Sequence, residues 1–378
     1  MKAAVLEDVA TLRVQSVNDP AVAAHQVLVH PRAVGVCGTD LHIYQGHANY
    51  NLDAQGRAIP LRDRPQILGH EFAGVVMETG SAVKDLRPGD RVLCDQGLNC
   101  LSQGLAPVCE YCASGDSHQC ANYREHGITG MQGAMAEYIA MPAVNCVRLP
   151  EAMPWDQGAL VEPLACILHS SERAGNAAAR YKLGGEPPVR HILICGAGPA
   201  GLLFLQYLRN VRGFEGLILI SDLREKNLEL ARRFGGTPVN SSSQNLVEAV
   251  QEHTHGERID YLIESCGAAV ILEQMPALLR KQGTVLLYGH GHKGRDVRVL
   301  SNILFLEPIL VAAVGASGGF EADGRPSVYR RSLDLVNSGK VQVLPFLTHR
   351  YQGLEQLPRA FAEDFSKPEY IKGLMDMA

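Results

Sequence analysis

Four cysteines crowd into one stretch of the chain, Cys100, Cys109, Cys112 and Cys120, the last three spaced Cys-x2-Cys-x7-Cys. Thiolates at that density, in a loop rich in Gly and Ser without apolar periodicity, predict a closed tetrahedral zinc site that braces a lobe and does no chemistry. A second set is scattered: Cys37 in Gly35-Val-Cys-Gly-Thr-Asp-Leu-His42, then His70 and Glu71 after Gly69, then Glu162 before Pro163. One thiolate, one imidazole and one carboxylate leave a fourth metal position open for water or substrate, which is the catalytic kind of zinc site. Each scattered residue also has an ordinary reading. Cys37 can be a core thiol, His70 a hydrogen bonder at a strand end, and Glu162 an acid at a helix start.

A third constellation is Gly196-Ala-Gly-Pro-Ala-Gly201, a G-x-G-x-x-G lying after an apolar strand and opening a helix. Gly196 permits a tight turn, Gly198 lets backbone approach a pyrophosphate, and Gly201 allows close helix–sheet packing. Pro199 and Ala200 lead from the glycine turn into the helix whose free N–H groups would meet the phosphates. The next strand ends at Asp222, where a carboxylate binds a ribose 2′-hydroxyl and repels a 2′-phosphate. That favours NAD over NADP, although Arg224 two residues on is of the type that accommodates the extra phosphate.

Elements must place these groups. Residues 3–6, 26–30, 73–78 and 91–94 read as strands in a β-rich first part, with a tight turn at Pro88-Gly89. Residues 50–64 are polar and aperiodic, and read as an extended loop. Beyond about residue 155, strands at 189–195, 216–221, 260–264 and 284–288 alternate with helices at 200–209, 225–234, 246–253 and 269–279. That alternation predicts a parallel sheet covered on both faces. Helices at 328–337 and 354–365 and a strand at 370–375 close the chain.

The 378 residues are 46% hydrophobic and 20% charged, with a net charge of -5, enough for two packed domains and too mild for a nucleic-acid or anionic-membrane surface. No apolar run is long enough for a transmembrane helix, and the acidic N-terminal pair does not fit a signal peptide. The expectation is a cytoplasmic protein. Its ten cysteines then point to metal ligands or core thiols, and Cys94, Cys146, Cys166, Cys195 and Cys266 are read as buried. Trp155 reads as packing at the domain junction, while Tyr44, Tyr50, His290 and His292 are open between site and ordinary roles.

Gly69-His-Glu-x2-Gly74-x5-Gly80-x2-Val83 resembles the zinc signature of the medium-chain alcohol dehydrogenases. The run 36–44, the four-cysteine lobe, Glu162-Pro163 and the glycine turn follow in that family's order. Glu162-Pro163 makes the pattern closer to the polyol (sorbitol- and xylitol-type), butanediol and threonine dehydrogenase branch than to the ethanol-oxidising one. The resemblance implies an α/β chain with a GroES-like β-rich catalytic domain, residues 1–163 and 319–378, split around a Rossmann domain, residues 164–318. It implies two zinc ions, one structural at the cysteine lobe and one catalytic on Cys37 and His70, with Glu71 or Glu162 as the third protein ligand. It further implies reversible NAD-linked oxidation of a secondary alcohol in a small polyol or sugar-derived substrate, with Thr39 and His42 relaying the proton, and a homo-oligomer, a tetramer rather than a dimer. L-threonine 3-dehydrogenase, a non-catalytic NAD-binding protein and a zinc-free reductase are the alternatives. The stretch between His42 and His70 and the one after Cys100 are longer than the family's usual.

Overall fold

The structure is a computed structural model that describes residues 1–291 and 298–377, without the side chains of residues 298–300. The chain divides into two compact units, one of Met1–Ala165, Ser317–Asn337 and Val343–Ala378, the other of Cys166–Ala316 and Ser338–Gln342. The boundaries expected at 163/164 and 318/319 therefore fall at 165/166 and 316/317. The short return of residues 338–342 to the second unit has a local cause. Gln206 Nε2 donates to the Gln342 carbonyl at 2.9 Å while Gln342 N donates back to Gln206 Oε1 at 2.8 Å.

In the first unit a seven-stranded sheet runs in the order Cys146–Arg148, Arg91–Cys94, Glu71–Thr79, Gln26–Val36, Lys372–Asp376, Leu347–Gln352, with Ile139–Pro142 also pairing Gln26–Val36. A smaller sheet of Thr11–Ser16, Lys2–Asp8 and Gln66–Ile67 accompanies it. Val27, Val29, Val34, Phe72, Val76, Met135 and Met141 are buried in a shared apolar cluster. Pairing register does the functional positioning. Gly35 lies opposite Glu71, and Gly373 opposite Val36, so the residues next to these pairs, Cys37, His70 and Lys372, are delivered to one end of the sheet. Gly35 has to be glycine, because a Cβ there would stand 2.1 Å from Glu71 Oε2.

The second unit is a six-stranded parallel sheet in the order Thr237–Asn240, Leu217–Asp222, His191–Cys195, Ile259–Glu264, Leu279–Leu287, Ile309–Ala312. In chain order this is 3-2-1-4-5-6, the doubly wound arrangement whose ligand crevice lies at the carboxyl ends of the first and fourth strands. The strands carry near-continuous apolar runs because both sheet faces are covered. Ile192, Leu193, Ile194, Leu219 and Leu262 are fully buried.

Several expected elements differ in detail. The helix expected over 200–209 is α-helical over Pro199–Gln206 and continues as a π turn over Tyr207–Val211. The helix expected over 354–365 breaks into a 3-10 turn at Leu354–Gln356, an α-helix at Leu357–Ala362 and a second 3-10 turn at Asp364–Ser366. Pro358 explains the restart, since a residue without an N–H fits only in a first turn. Residues 50–64 fold back on themselves rather than extending: Ile59 N donates to Asn51 O, Asn49 Nδ2 to Ile59 O, and Arg57 pairs with Asp53. Among the described residues no helix is long and apolar enough to cross a membrane.

Candidate active site

The four-cysteine lobe is held by local geometry. Cys109 caps the short helix Glu110–Ala113 and its sulfur accepts from Cys112 N. Cys100 and Cys120 Sγ lie 3.6 Å apart, and Cys109 and Cys120 Sγ 3.9 Å apart. Four sulfurs at about 2.3 Å from a tetrahedral zinc would stand about 3.8 Å from one another, so the set fits that ion. Backbone N–H groups of Cys109 and Asn122 also point at sulfur, on Cys100 and Cys120. The N–H of Cys112, then that of Ala121, lower the Cys109 thiol to about 6, readying it as a thiolate.

The scattered set also converges. Donor atoms of Cys37, His70 and Glu71 lie within 4.8 Å of one another. Cys37 is the N-cap of the helix Gly38–Tyr44, which starts where the strand Gln26–Val36 ends, and His70 immediately precedes the strand Glu71–Thr79. Asp40, fully buried, ties them together: its Oδ2 accepts from Cys37 N at 2.9 Å, and its Oδ1 stands 3.3 Å from both Gly69 N and His70 Nδ1. With Nδ1 facing that carboxylate, Nε2 is the ring nitrogen that could take a metal, as in histidines whose other nitrogen faces an acidic group. Burial opposes a charge on the ring, but Asp40 and Cys37 override it and hold the His70 pKa well above 6.5.

The two carboxylates left open by the sequence have different surroundings. Both oxygens of Glu71 lie 2.6 Å from Lys372 Nζ in a pair that is almost wholly buried. Glu162, also buried, lies outside the set of three and accepts a bond from Gln96 Nε2 at 2.9 Å through Oε1. Thr39 sits in the first turn of the helix that Cys37 caps, and His42 one turn on, its ring 6.1 Å from that of His47. Both side chains are half-buried. Tyr44 packs against Phe361 in the core, and Trp155 lies under the Arg91 guanidinium at 3.9 Å. Tyr50 is half-buried, and its phenol is pushed up by burial first and then by the negative charges of Glu125 and Cys37.

In the second unit Gly196 has φ +99° and closes the turn after His191–Cys195. A Cβ on Gly201 would stand 1.8 Å from the Gly196 carbonyl, whereas one on Gly198 would meet nothing within 4 Å. The close packing and the open approach are thus where a pyrophosphate needs them. Gly198 caps the helix and Pro199 occupies its first turn. Asp222 braces the turn, accepting from Ala197 N through Oδ2 and from Arg224 N through Oδ1, both at 2.9 Å. Arg224 Nε is 3.4 Å from the same carboxylate, which holds its charge beside Asp222.

One cysteine assignment is corrected. Cys94, Cys146, Cys166 and Cys195 are buried, but Cys266 is exposed. It lies past the end of the strand Ile259–Glu264, beyond the reach of the apolar run, beside Gly196. Its Sγ donates to Glu264 Oε1 at 3.1 Å, so the thiol is held by the carboxylate that ends the strand. His290 is exposed, and His292 lies outside the described residues. Asp40, Lys372 and Gln96 were not singled out from the sequence. Asp40 follows Cys37 at the three-residue spacing of a capping pair, and Lys372 is a charge inside an apolar terminal strand; both were readable signals.

The alcohol dehydrogenase GroES-like domain family matches residues 23–151, and the zinc-binding dehydrogenase family matches residues 199–338. L-threonine 3-dehydrogenase of Pyrococcus horikoshii is 31% identical over 346 residues, covering 91% of this chain and 89% of its own. Sorbitol dehydrogenase of Arabidopsis thaliana is 30% identical, covering 92% of this chain and 87% of its own. A zinc-binding dehydrogenase of Sinorhizobium meliloti, solved with NADP bound, has a TM-score of 0.79 at 29% identity, covering 99% and 98% of the two chains. The chain belongs to the zinc-dependent medium-chain alcohol dehydrogenase family, in the branch that includes sorbitol and threonine dehydrogenases. Its fold is the family's pairing of a GroES-like unit with a Rossmann unit.

Proposed function

We propose that the protein catalyses reversible NAD-linked oxidation of a secondary alcohol carried by a polyol or sugar-derived substrate. The convergence of Cys37, His70 and Glu71, with Asp40 behind two of them, carries this reading. A zinc ion held there would lower the pKa of a hydroxyl bound to it, and a nicotinamide would take the hydride. The remaining work falls to side chains. Asp40 orients the His70 ring, and Lys372 holds the Glu71 carboxylate. Glu162 hydrogen-bonds the reacting hydroxyl or its water, and Thr39 and His42 pass the proton outward. Asp222 binds the ribose hydroxyls and disfavours a 2′-phosphate, so NAD is the expected coenzyme although a relative was solved with NADP. The four cysteines would hold a second, structural zinc.

NADH formation by zinc-replete protein against polyols, diols, cyclic polyols and L-threonine, with NADP in parallel and a chelated control, tests the reading. Polyol turnover with NAD that is lost on chelation is expected. Turnover confined to L-threonine would move the substrate class, as the 31% identity to threonine dehydrogenases makes worth measuring. No turnover of any alcohol, with both metals bound, would overturn the reading.

A further inference from the structure

Gln96 is almost wholly buried, and both ends of its amide are engaged. Its Nε2 donates to Glu162 Oε1 at 2.9 Å and to Glu125 Oε1 at 3.0 Å, while its Oε1 accepts from the Tyr329 hydroxyl at 2.5 Å. An NH2 group has two hydrogens, and here each goes to a different carboxylate. Ionised carboxylates only accept, so the amide can face them in one sense, and the Tyr329 hydroxyl fixes that sense by donating to the other end. The backbone beneath is equally fixed. Asn145 Nδ2 grips the carbonyls of Asp95 and Gly97 on either side of Gln96, and His126 N donates to the Gln96 carbonyl.

We propose that Gln96 is a positioning residue: its amide, oriented by Tyr329, bridges Glu125 and Glu162 and holds the Glu162 carboxylate in its place for the alcohol. The inference rests on the proposed role of Glu162. Two oxygens bonded to one nitrogen are at most about 6 Å apart, close enough for the two charges to repel in a buried setting once the shared donor is gone. Glu162 would then turn away from Glu125. The bridge also makes Glu125, which lies in the electrostatic neighbourhood of Tyr50 as Cys37 does, a second acidic group beside the site.

Gln96→Met keeps the length of the side chain and removes the donor. With the most active alcohol, kcat/KM for that alcohol is expected to fall about 100-fold, while KM for NAD and zinc content stay within about twofold. Tyr329→Phe, which frees the amide to turn over, is expected to lower it about tenfold. A crystal structure of Gln96→Met should show the Glu125 and Glu162 carboxylates moved apart. Wild-type kcat/KM in Gln96→Met, equal losses toward alcohol and NAD alike, or an unmoved Glu162 in that crystal would each overturn the proposal. If the wild-type protein oxidises no alcohol, the functional reading fails, and the crystal structure alone still decides whether Gln96 places Glu162.

Discussion

The two candidate metal centres of this chain are built on opposite plans. The cysteine lobe draws its four candidate ligands from Cys100 to Cys120, and its sulfurs are presented by a short helix, tight turns and backbone N–H groups of the same segment. The Cys37–His70–Glu71 centre takes its groups from a strand–helix junction and the start of a second strand, and is buttressed by Asp40 from that helix and Lys372 from the end of the chain. A centre closed by its own segment can stabilise that segment but offers no place for a substrate. A centre assembled by the sheet inherits its stability from the sheet, and its ligands need not fill every metal position.

The contrast is sharpest if one ligand is removed from the closed centre. Cys112→Ser should strip the structural metal and unfold the lobe, because such small metal-held segments fold only with the ion bound. Thermal melting should drop by about 10 °C or more, with fast proteolysis inside residues 97–125. Unchanged melting would mean that the lobe does not depend on a metal.

At the assembled centre the largest stability effect should come from the buried ion pair between Lys372 and Glu71. Burial opposes the charge on Lys372, but Glu71 overrides it and raises its pKa. Lys372→Met strands a buried carboxylate and should destabilise the protein by about 3–5 kcal/mol in denaturant unfolding. Adding Glu71→Gln should recover most of that loss. A double variant no more stable than the single one would show that the pair is not the source.

Asp40→Asn tests the support behind the ligands with a smaller effect. It should weaken zinc binding at Cys37 and His70 by about 10- to 100-fold in competition with a chelator, leaving the cysteine lobe loaded. Equal loss of both metals would erase the distinction between the centres.

The smallest effect is expected on the strand that leaves the lobe. Arg124–Glu125 pairs with Gly97–Leu98, and the next residue, His126, is buried with Nδ1 on the Gln132 carbonyl. Burial lowers its pKa below 6.5. The folded protein therefore resists a proton that the unfolded chain takes up, and stability should fall as the pH drops below 6.5. His126→Gln keeps a donor for Gln132 without titrating, so its stability should slope less steeply there; an identical slope would remove His126 as a cause.

Much of this was readable without coordinates. The glycine turn, the alternation of strands and helices and the clustered cysteines are local patterns, because turns, sheet faces and short-range ligand sets are written in consecutive residues. The broken helix at residues 354–365 was harder to read, since it depends on where one proline falls within a turn. The exposure of Cys266 likewise depends on where a strand ends relative to the sheet around it.

The residues alone determined the chemistry on offer: thiolates, imidazoles and carboxylates in the right kinds, and a turn fit for a pyrophosphate. Only tertiary structure decided between Glu71 and Glu162 as the carboxylate gathered with Cys37 and His70, gave Glu71 its partner in Lys372 some three hundred residues away, and set Gln96 against two carboxylates at once. The physical reason is register. A slip of one residue in a strand turns its side chains to the other face, so which distant groups meet is fixed by strand pairing and packing rather than by spacing along the chain.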